Sequence, residues 1–234
     1  MGRLALIGGR GFEALSPWRS ARPLQAAAGN VLDAGAYVVL ARHGISSYCP
    51  PHRIDHAANL RSLLEAGCDR ALAICSVGGL RDSVGVGTFL CPDQFIALHG
   101  TSTAFDDERG HVVPGFDGEL RQAAIATWRE RGGPPLLDGG TYWETRGPRF
   151  ETEAEVRLIA AHADVVGMTM ASEAVNAGQL GLRYAAVCVV DNLANGVREE
   201  PLTVEEYEAG VAANRSTLAE TLGAMVPRLL ETVA

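Results

Sequence analysis

Hydrophobic positions along the chain gather into short, nearly continuous runs rich in Val, Ile, Ala and Cys, each ending at glycine or a polar residue. Such runs at residues 3–7, 36–41, 70–75, 94–97, 165–168 and 185–190 predict strands buried on both faces. Between them, apolar positions recur at helical spacing over 57–65, 120–131, 151–162, 170–180 and 204–232. The last stretch carries a start signal, in which Thr203 can cap the helix and Glu206 can complete a capping box. Strand–helix alternation across residues 1–234 predicts one α/β domain, a mixed and largely parallel β-sheet flanked by helices. Residues 100–116 lack periodicity, and a loop of that length predicts a lid or a binding loop.

Composition narrows the chemistry by exclusion. The chain is 47% hydrophobic and 21% charged, a globular balance, and no apolar run reaches the roughly 18 residues of a membrane helix. The apolar stretch at the start is short and ends in Gly8-Gly9, so it reads as a first strand rather than a secretory signal, and a cytoplasmic location is expected. A net charge of −8 without a basic stripe argues against nucleic acid as a partner. All 20 basic residues are arginines, which excludes Schiff-base and pyridoxal phosphate chemistry as well as a Walker A lysine. The five cysteines contain no C-x-x-C pair, so neither a disulfide framework nor a zinc site is expected, and the compartment reads as reducing.

Candidate chemistry lies where strands end. Gly9, Gly11 and Ala14 fit a dinucleotide fingerprint with Asp33 near the ribose position, but Ser16-Pro17 interrupts the helix that must follow. A turn whose backbone amides face an anion is the better reading. Arg42 and His43 close the next strand, where they suit an oxyanion or form a structural pair. Ser76-Val77-Gly78-Gly79 leaves a buried strand either as a plain tight turn or as a place where a ligand approaches the backbone. Phe150 beside Glu151 offers a ring and a carboxylate to a flat heterocycle bearing an N–H, unless the acids simply open a helix. Met168-Thr169 sets a thioether and a hydroxyl at a strand-to-helix junction, and Asp191-Asn192 ends the last strand, where a carboxylate needs a partner.

In order and spacing these segments resemble the trimeric purine nucleoside phosphorylase and methylthioadenosine phosphorylase family. The most specific are Gly147-Pro-Arg-Phe-Glu-Thr152 and Gly167-Met-Thr-Met-Ala-Ser-Glu-Ala174, and the resemblance spans nearly the whole chain. It implies phosphorolysis of a purine nucleoside at C1′, with inorganic phosphate as co-substrate, no metal or organic cofactor, and a homotrimer whose site borrows a residue from a neighbouring subunit. By the same resemblance Gly9, Arg10, Arg42, His43, Ser76 and Thr169 would hold phosphate. Val77, Gly78, Phe150, Glu151, Met168, Asp191, Asn192 and Val204 would line the nucleoside site. Asp191 and His43 would be catalytic, Asp191 by donating to the leaving purine.

Base and sugar preference follow from single positions. A Glu151 carboxylate accepts from the N1–H of a 6-oxopurine and repels the N1 lone pair of adenine, whereas an Asp at 191 is the choice of adenine-specific members. Asn192 would take the role of the asparagine in 6-oxopurine members if the strand end is shifted by one residue. Val204 stands where ordinary nucleoside phosphorylases carry a histidine for the 5′-hydroxyl, which favours a 5′-methylthio group. The expectation is therefore a methylthioinosine-type substrate, with a methylthioadenosine or general purine nucleoside phosphorylase as alternatives. A nucleoside hydrolase and a non-catalytic nucleoside-binding protein are the rivals from other classes. Arg10 in place of the family's Thr or Ser, the altered segment 20–29 and Asp55-His56 in place of Asn-Tyr are the departures.

Overall fold

At the centre of the sheet two long strands, β5 (Cys68–Gly79) and β11 (Arg183–Leu193), run parallel and share the longest ladder of the molecule. Their composition explains the position: nearly every residue of both is buried, and successive side chains alternate between two apolar layers. Ala71, Ala73, Cys75 and Val77 of β5 face one layer with Tyr184, Ala186, Cys188 and Val190 of β11. Leu72 and Ile74 face the other with Ala185, Val187 and Val189. The computed structural model describes residues 2–9, 12, 18, 21–26 and 30–232.

Nine further described strands complete one mixed sheet: β1 (Arg3–Gly8), β2 (Arg22–Pro23), β3 (Val31–Asp33), β4 (Tyr37–Ala41), β6 (Phe89–Cys91), β7 (Gln94–Ile96), β8 (Leu136–Asp138), β9 (Thr141–Glu144) and β10 (Val165–Gly167). The pairs β1–β4, β1–β5, β5–β11 and β9–β10 are parallel, whereas β10 meets the end of β5 antiparallel. Helices α1 (His56–Glu65) and α4 (Met170–Leu180) cover one face through Leu60, Leu63, Met170, Ala174 and Ala177. Helices α2 (Gly118–Arg131) and α5 (Val204–Thr232) cover the other through Leu120, Trp128, Leu218, Met225 and Leu229. The short α3 (Glu153–Ile159) closes a third, smaller apolar cluster with Val156 and Ile159. Among the described residues no helix is long and apolar enough to cross a membrane.

Three differences from the sequence expectation matter for the site. Strand β5 does not stop at residue 75 but continues through the glycines, where Gly78 pairs with Val166 and Gly79 with Val165. The glycines are therefore strand, not turn, and Gly79 is bare because a Cβ there would lie 2.0 Å from the carbonyl oxygen of Val84. Helix α3 begins at Glu153 rather than 151, because Thr152 is its N-cap in a capping box with Glu155, which leaves Glu151 in the preceding loop. The aperiodic stretch 100–116 supplies none of the residues that line the cavity at the strand ends. It is tied to α4, with Asn176 Nδ2 donating to Ser102 and Ala104 N donating to Gln179 Oε1 at 2.7 Å.

Adding one methyl group at Gly79 forces a main-chain clash rather than a side-chain adjustment. Gly79→Ala should therefore lower unfolding stability by about 1–3 kcal/mol, read as a lower midpoint in urea denaturation at unchanged slope.

Candidate active site

A cavity opens where β1, β4, β5, β10 and β11 end, lined on one side by Gly9, Arg42, His43, Ser76 and Thr169. Its other side is lined by Val77, Gly78, Phe150, Glu151, Met168, Asn192 and Val204. The fold thus brings together residues from seven separate segments, most of them at strand ends, where open α/β sheets bind ligands. Arg10 and the fingerprint residues Gly11, Ala14 and Ser16-Pro17 lie outside the described residues. Asp191 is the exception among the described candidates: it does not line the cavity.

Arg42 is 2% exposed, and its guanidinium is largely committed inside the wall. Nε and Nη2 donate to the two carboxylate oxygens of Glu173 at 2.5 and 2.9 Å, Nη1 donates to Ile74 O at 3.1 Å, and Nη2 reaches Cys75 Sγ at 3.4 Å. Of five N–H donors, one remains, on Nη1, beside the place where a Cβ of Gly9 would stand 3.2 Å away. The sequence expectation of a planar fork for an oxyanion is corrected accordingly: the fork grips Glu173 and a single N–H is left for the cavity. Burial works against both charges, yet the Arg42–Glu173 attraction holds Arg42 protonated and Glu173 ionised, with Tyr184 Oη donating to the same carboxylate at 2.7 Å. Behind them His56 is buried, with no partner for Nδ1 among the described residues, and burial pushes its pKa down to about 4, so it stays neutral beside the pair.

His43 is oriented by its own loop. Its Nδ1 lies 2.8 Å from Cys49 O and its ring stacks on Tyr48 at 5.4 Å, which turns Nε2 toward Gly9 at the cavity. The amides that open α4, a common place for an anion, are taken by side chains instead. Tyr142 Oη accepts from Thr169 N at 3.1 Å and Met170 N at 3.3 Å, and Glu144 accepts from Ser172 N at 3.1 Å and Ser172 Oγ. Thr169 lines the cavity with a hydroxyl that makes no capping bond. Side-chain polar groups, rather than a helix terminus, therefore face the space between His43 and Thr169.

On the opposite side Glu151 is held in a fixed pose. Thr145 Oγ1 donates to its Oε1 at 2.6 Å and Asn195 Nδ2 donates to its carbonyl oxygen at 3.1 Å. Asn192 lies across Gly78, where a Cβ would be 3.3 Å from Asn192 Nδ2, and one of its amide N–H groups donates to Leu193 O at 2.9 Å. Phe150 meets Tyr207 edge-on with centroids 6.1 Å apart, and Val204 lies one helical turn before Tyr207.

Asp191 points to α5 instead. The β5–β11 register slips between Val190 and Asn192, so a bulge places Asn192 opposite Gly78 and leaves Asp191 on the far side. Its Oδ1 accepts from Asn214 Nδ2 at 2.8 Å. Of the lining residues, Tyr48, Ala194 and Tyr207 are among those that sequence alone did not single out. Tyr207 had a signal, its i+3 spacing from Val204 on one helix face; Tyr48 sits in an irregular loop and had none.

Burial pushes the Glu144 carboxyl up to about 7, against the bonds from Ser172. A raised carboxyl pKa means that the folded state holds its proton between about pH 4.5 and 7 while the unfolded state has lost it, so this contribution to stability fades as pH rises through that window. Glu144→Gln should abolish that component. The wild-type advantage over the variant in unfolding free energy should shrink from acid to neutral pH, and a difference that does not vary with pH would contradict the assignment.

Comparison with known proteins agrees with this architecture. A family model for the phosphorylase superfamily matches residues 3–227. A probable 6-oxopurine nucleoside phosphorylase of Archaeoglobus fulgidus is 40% identical over 168 residues, covering 72% of this chain and 69% of the relative. A probable S-methyl-5′-thioinosine phosphorylase of Xylella fastidiosa is 34% identical over 238 residues, covering 94% of this chain and 96% of the relative. Among solved structures, an adenosine/methylthioadenosine phosphorylase of Schistosoma mansoni in complex with tubercidin superposes with a TM-score of 0.81 at 23% identity, over 97% of this chain and 91% of that one. With strand order, cavity and relatives in agreement, the chain belongs to the phosphorylase superfamily.

Proposed function

We propose that the protein catalyses phosphorolysis of a 6-oxopurine nucleoside, preferentially one with an apolar 5′ substituent such as methylthioinosine, with inorganic phosphate as co-substrate. The observation that carries this reading is the pairing of Glu151 and Asn192 in one cavity while Asp191 is turned away. A carboxylate held by Thr145 suits the N1–H of a 6-oxopurine, and the amide of Asn192 can donate to N7 without needing a proton of its own. The relatives named for 6-oxopurine nucleosides and for S-methyl-5′-thioinosine support the same substrate class.

The chemistry follows from where charge moves. As the C1′–N9 bond breaks, its electron pair passes to the purine and positive charge collects on the ribose, while a phosphate oxygen forms the new bond to C1′. Thr169 and the remaining Arg42 N–H would donate to phosphate below C1′ while His43 Nε2 accepts from a phosphate O–H, and Asn192 would stabilise the charge arriving on the purine before solvent protonates it. At the other end Val204, Phe150 and Tyr207 form an apolar wall. Such a wall favours a methylthio group over a hydroxyl by only about 1–3 kcal/mol, so inosine remains a slower substrate. The family resemblance supports a homotrimer, in which the apolar side chains Leu98 and Val113, 79% and 98% exposed, would be candidates for cover by a second copy. Sedimentation equilibrium should return the mass of three chains.

Methylthioinosine, methylthioadenosine, inosine, guanosine and adenosine, each offered with and without phosphate, test the reading by chromatography of the released base. Release of hypoxanthine should require phosphate and be fastest from methylthioinosine; release at the same rate without phosphate would identify a hydrolase instead. Glu151→Gln should lower kcat/KM for 6-oxopurine substrates about tenfold or more, since a charge-assisted hydrogen bond is lost. The same variant should narrow the gap to adenine nucleosides, because a glutamine N–H can meet the adenine N1 lone pair.

A further inference from the structure

The bulge that turns Asn192 into the cavity is an unusual piece of backbone, and the structure shows what grips it. Asn214 of α5 donates from Nδ2 to Val190 O at 3.2 Å and to Asp191 Oδ1 at 2.8 Å, so one amide spans both sides of the register slip. One turn earlier on the same helix, Gly210 lets α5 lie directly on the bulge: a Cβ there would fall 1.7 Å from Asp191 O. Both partners are buried, Asp191 at 5% exposure and Asn214 at 9%. On the β5 side stands Ser76, whose buried Oγ has no other hydrogen-bond partner among the described residues and sits close enough to Asp191 to favour its charged form. Burial of the carboxyl outweighs these neighbours and raises its pKa. Asp191 thus lies behind two residues of the cavity wall, Ser76 and Asn192, without lining the cavity itself.

We infer that Asp191 and Asn214 form a positioning clamp: together they lock the β11 bulge so that Asn192 meets the purine and Ser76 keeps its place in the wall, and Asp191 acts through these residues rather than on the leaving base. The inference rests on the purine-nucleoside reading proposed above. Its physical basis is that a bulge removes one residue from the ladder and leaves its backbone unpaired, so the re-aimed side chain is only as well placed as the contacts that hold the extra residue. A clamp of this kind predicts that either partner matters about equally and that shape and hydrogen bonding, not acidity, are what Asp191 supplies.

Calorimetric binding of free hypoxanthine and adenine, together with steady-state phosphorolysis, to wild type and to Asp191→Ala, Asp191→Asn, Asn214→Ala and the double variant tests this. Asp191→Ala and Asn214→Ala should each cost about tenfold in hypoxanthine affinity and in kcat, with less effect on adenine, and the double variant should be little worse than either single one because both break the same contact. Asp191→Asn, which keeps an oxygen for Asn214 Nδ2, should recover most of both. An inactive Asp191→Asn beside a fully active Asn214→Ala would overturn the clamp and make Asp191 a proton donor. A loss of thermal stability with unchanged hypoxanthine-to-adenine preference would overturn it in favour of a purely structural role. Base binding is measured without phosphate, so a wild type that binds hypoxanthine but releases none would fail the phosphorolysis reading while leaving the clamp to be judged by affinity alone.

Discussion

Between the end of β4 and the first turn of α4, the Arg42 guanidinium meets the Glu173 carboxylate in a two-pronged pair from which water is excluded. Removing two charges from water is costly, and the cost is offset only when geometry is good and the remaining polar atoms are satisfied. Here they nearly all are: Ile74 O and Cys75 Sγ take further guanidinium N–H groups, and Tyr184 donates to the carboxylate. The pair ties β4, β5, β11 and α4 together at one point directly beneath the cavity. Because each element carries lining residues just beyond that point, the relative placement of His43, Ser76, Thr169 and Asn192 depends on it.

The same economy of donors shapes the rest of the wall. Tyr142 and Glu144 from β9 occupy the amides at the start of α4, so the helix contributes rigidity more than an anion hole. Donors that face the cavity are then few and individually placed, which suits an enzyme that must hold a phosphate below one carbon without burying it so tightly that the product cannot leave. Base recognition is built from a different kind of constraint. Glu151 is available because Thr152 caps α3 and keeps residue 151 out of the helix, and Asn192 is available because of one slipped residue in β11. Two local departures from regular structure thus bring both side chains to the cavity wall proposed to face the purine.

How much of this was legible in the chain follows from range of interaction. The long strands and helices were, because alternation and 3.6-residue periodicity are local consequences of burial, and helices 170–180 and 204–232 match α4 and α5 residue for residue. Strands β3, β6, β8 and β9 are too short to show a period and form along a neighbour's edge, whereas the equally short β7 and β10 lie within apolar runs that mark them. Most candidate residues lie at strand ends that the topology gathers into one cavity, since side chains following a buried strand have few places to go.

By itself the sequence determined the α/β class, the exclusion of lysine-based chemistry, and the segments from which the site is drawn. Tertiary structure alone decided which atoms in those segments face the ligand space. Arg42 reads as an open fork until Glu173, 131 positions later, is seen to fill it. Asp191 and Asn192 are adjacent and nearly the same shape, so no local rule says which of them faces inward. Their order is set by α5, where Gly210 and Asn214 fix a bulge that reverses which of the two points inward. A slip of one residue in a strand exchanges its faces, and only the packed helix behind it determines whether the slip occurs.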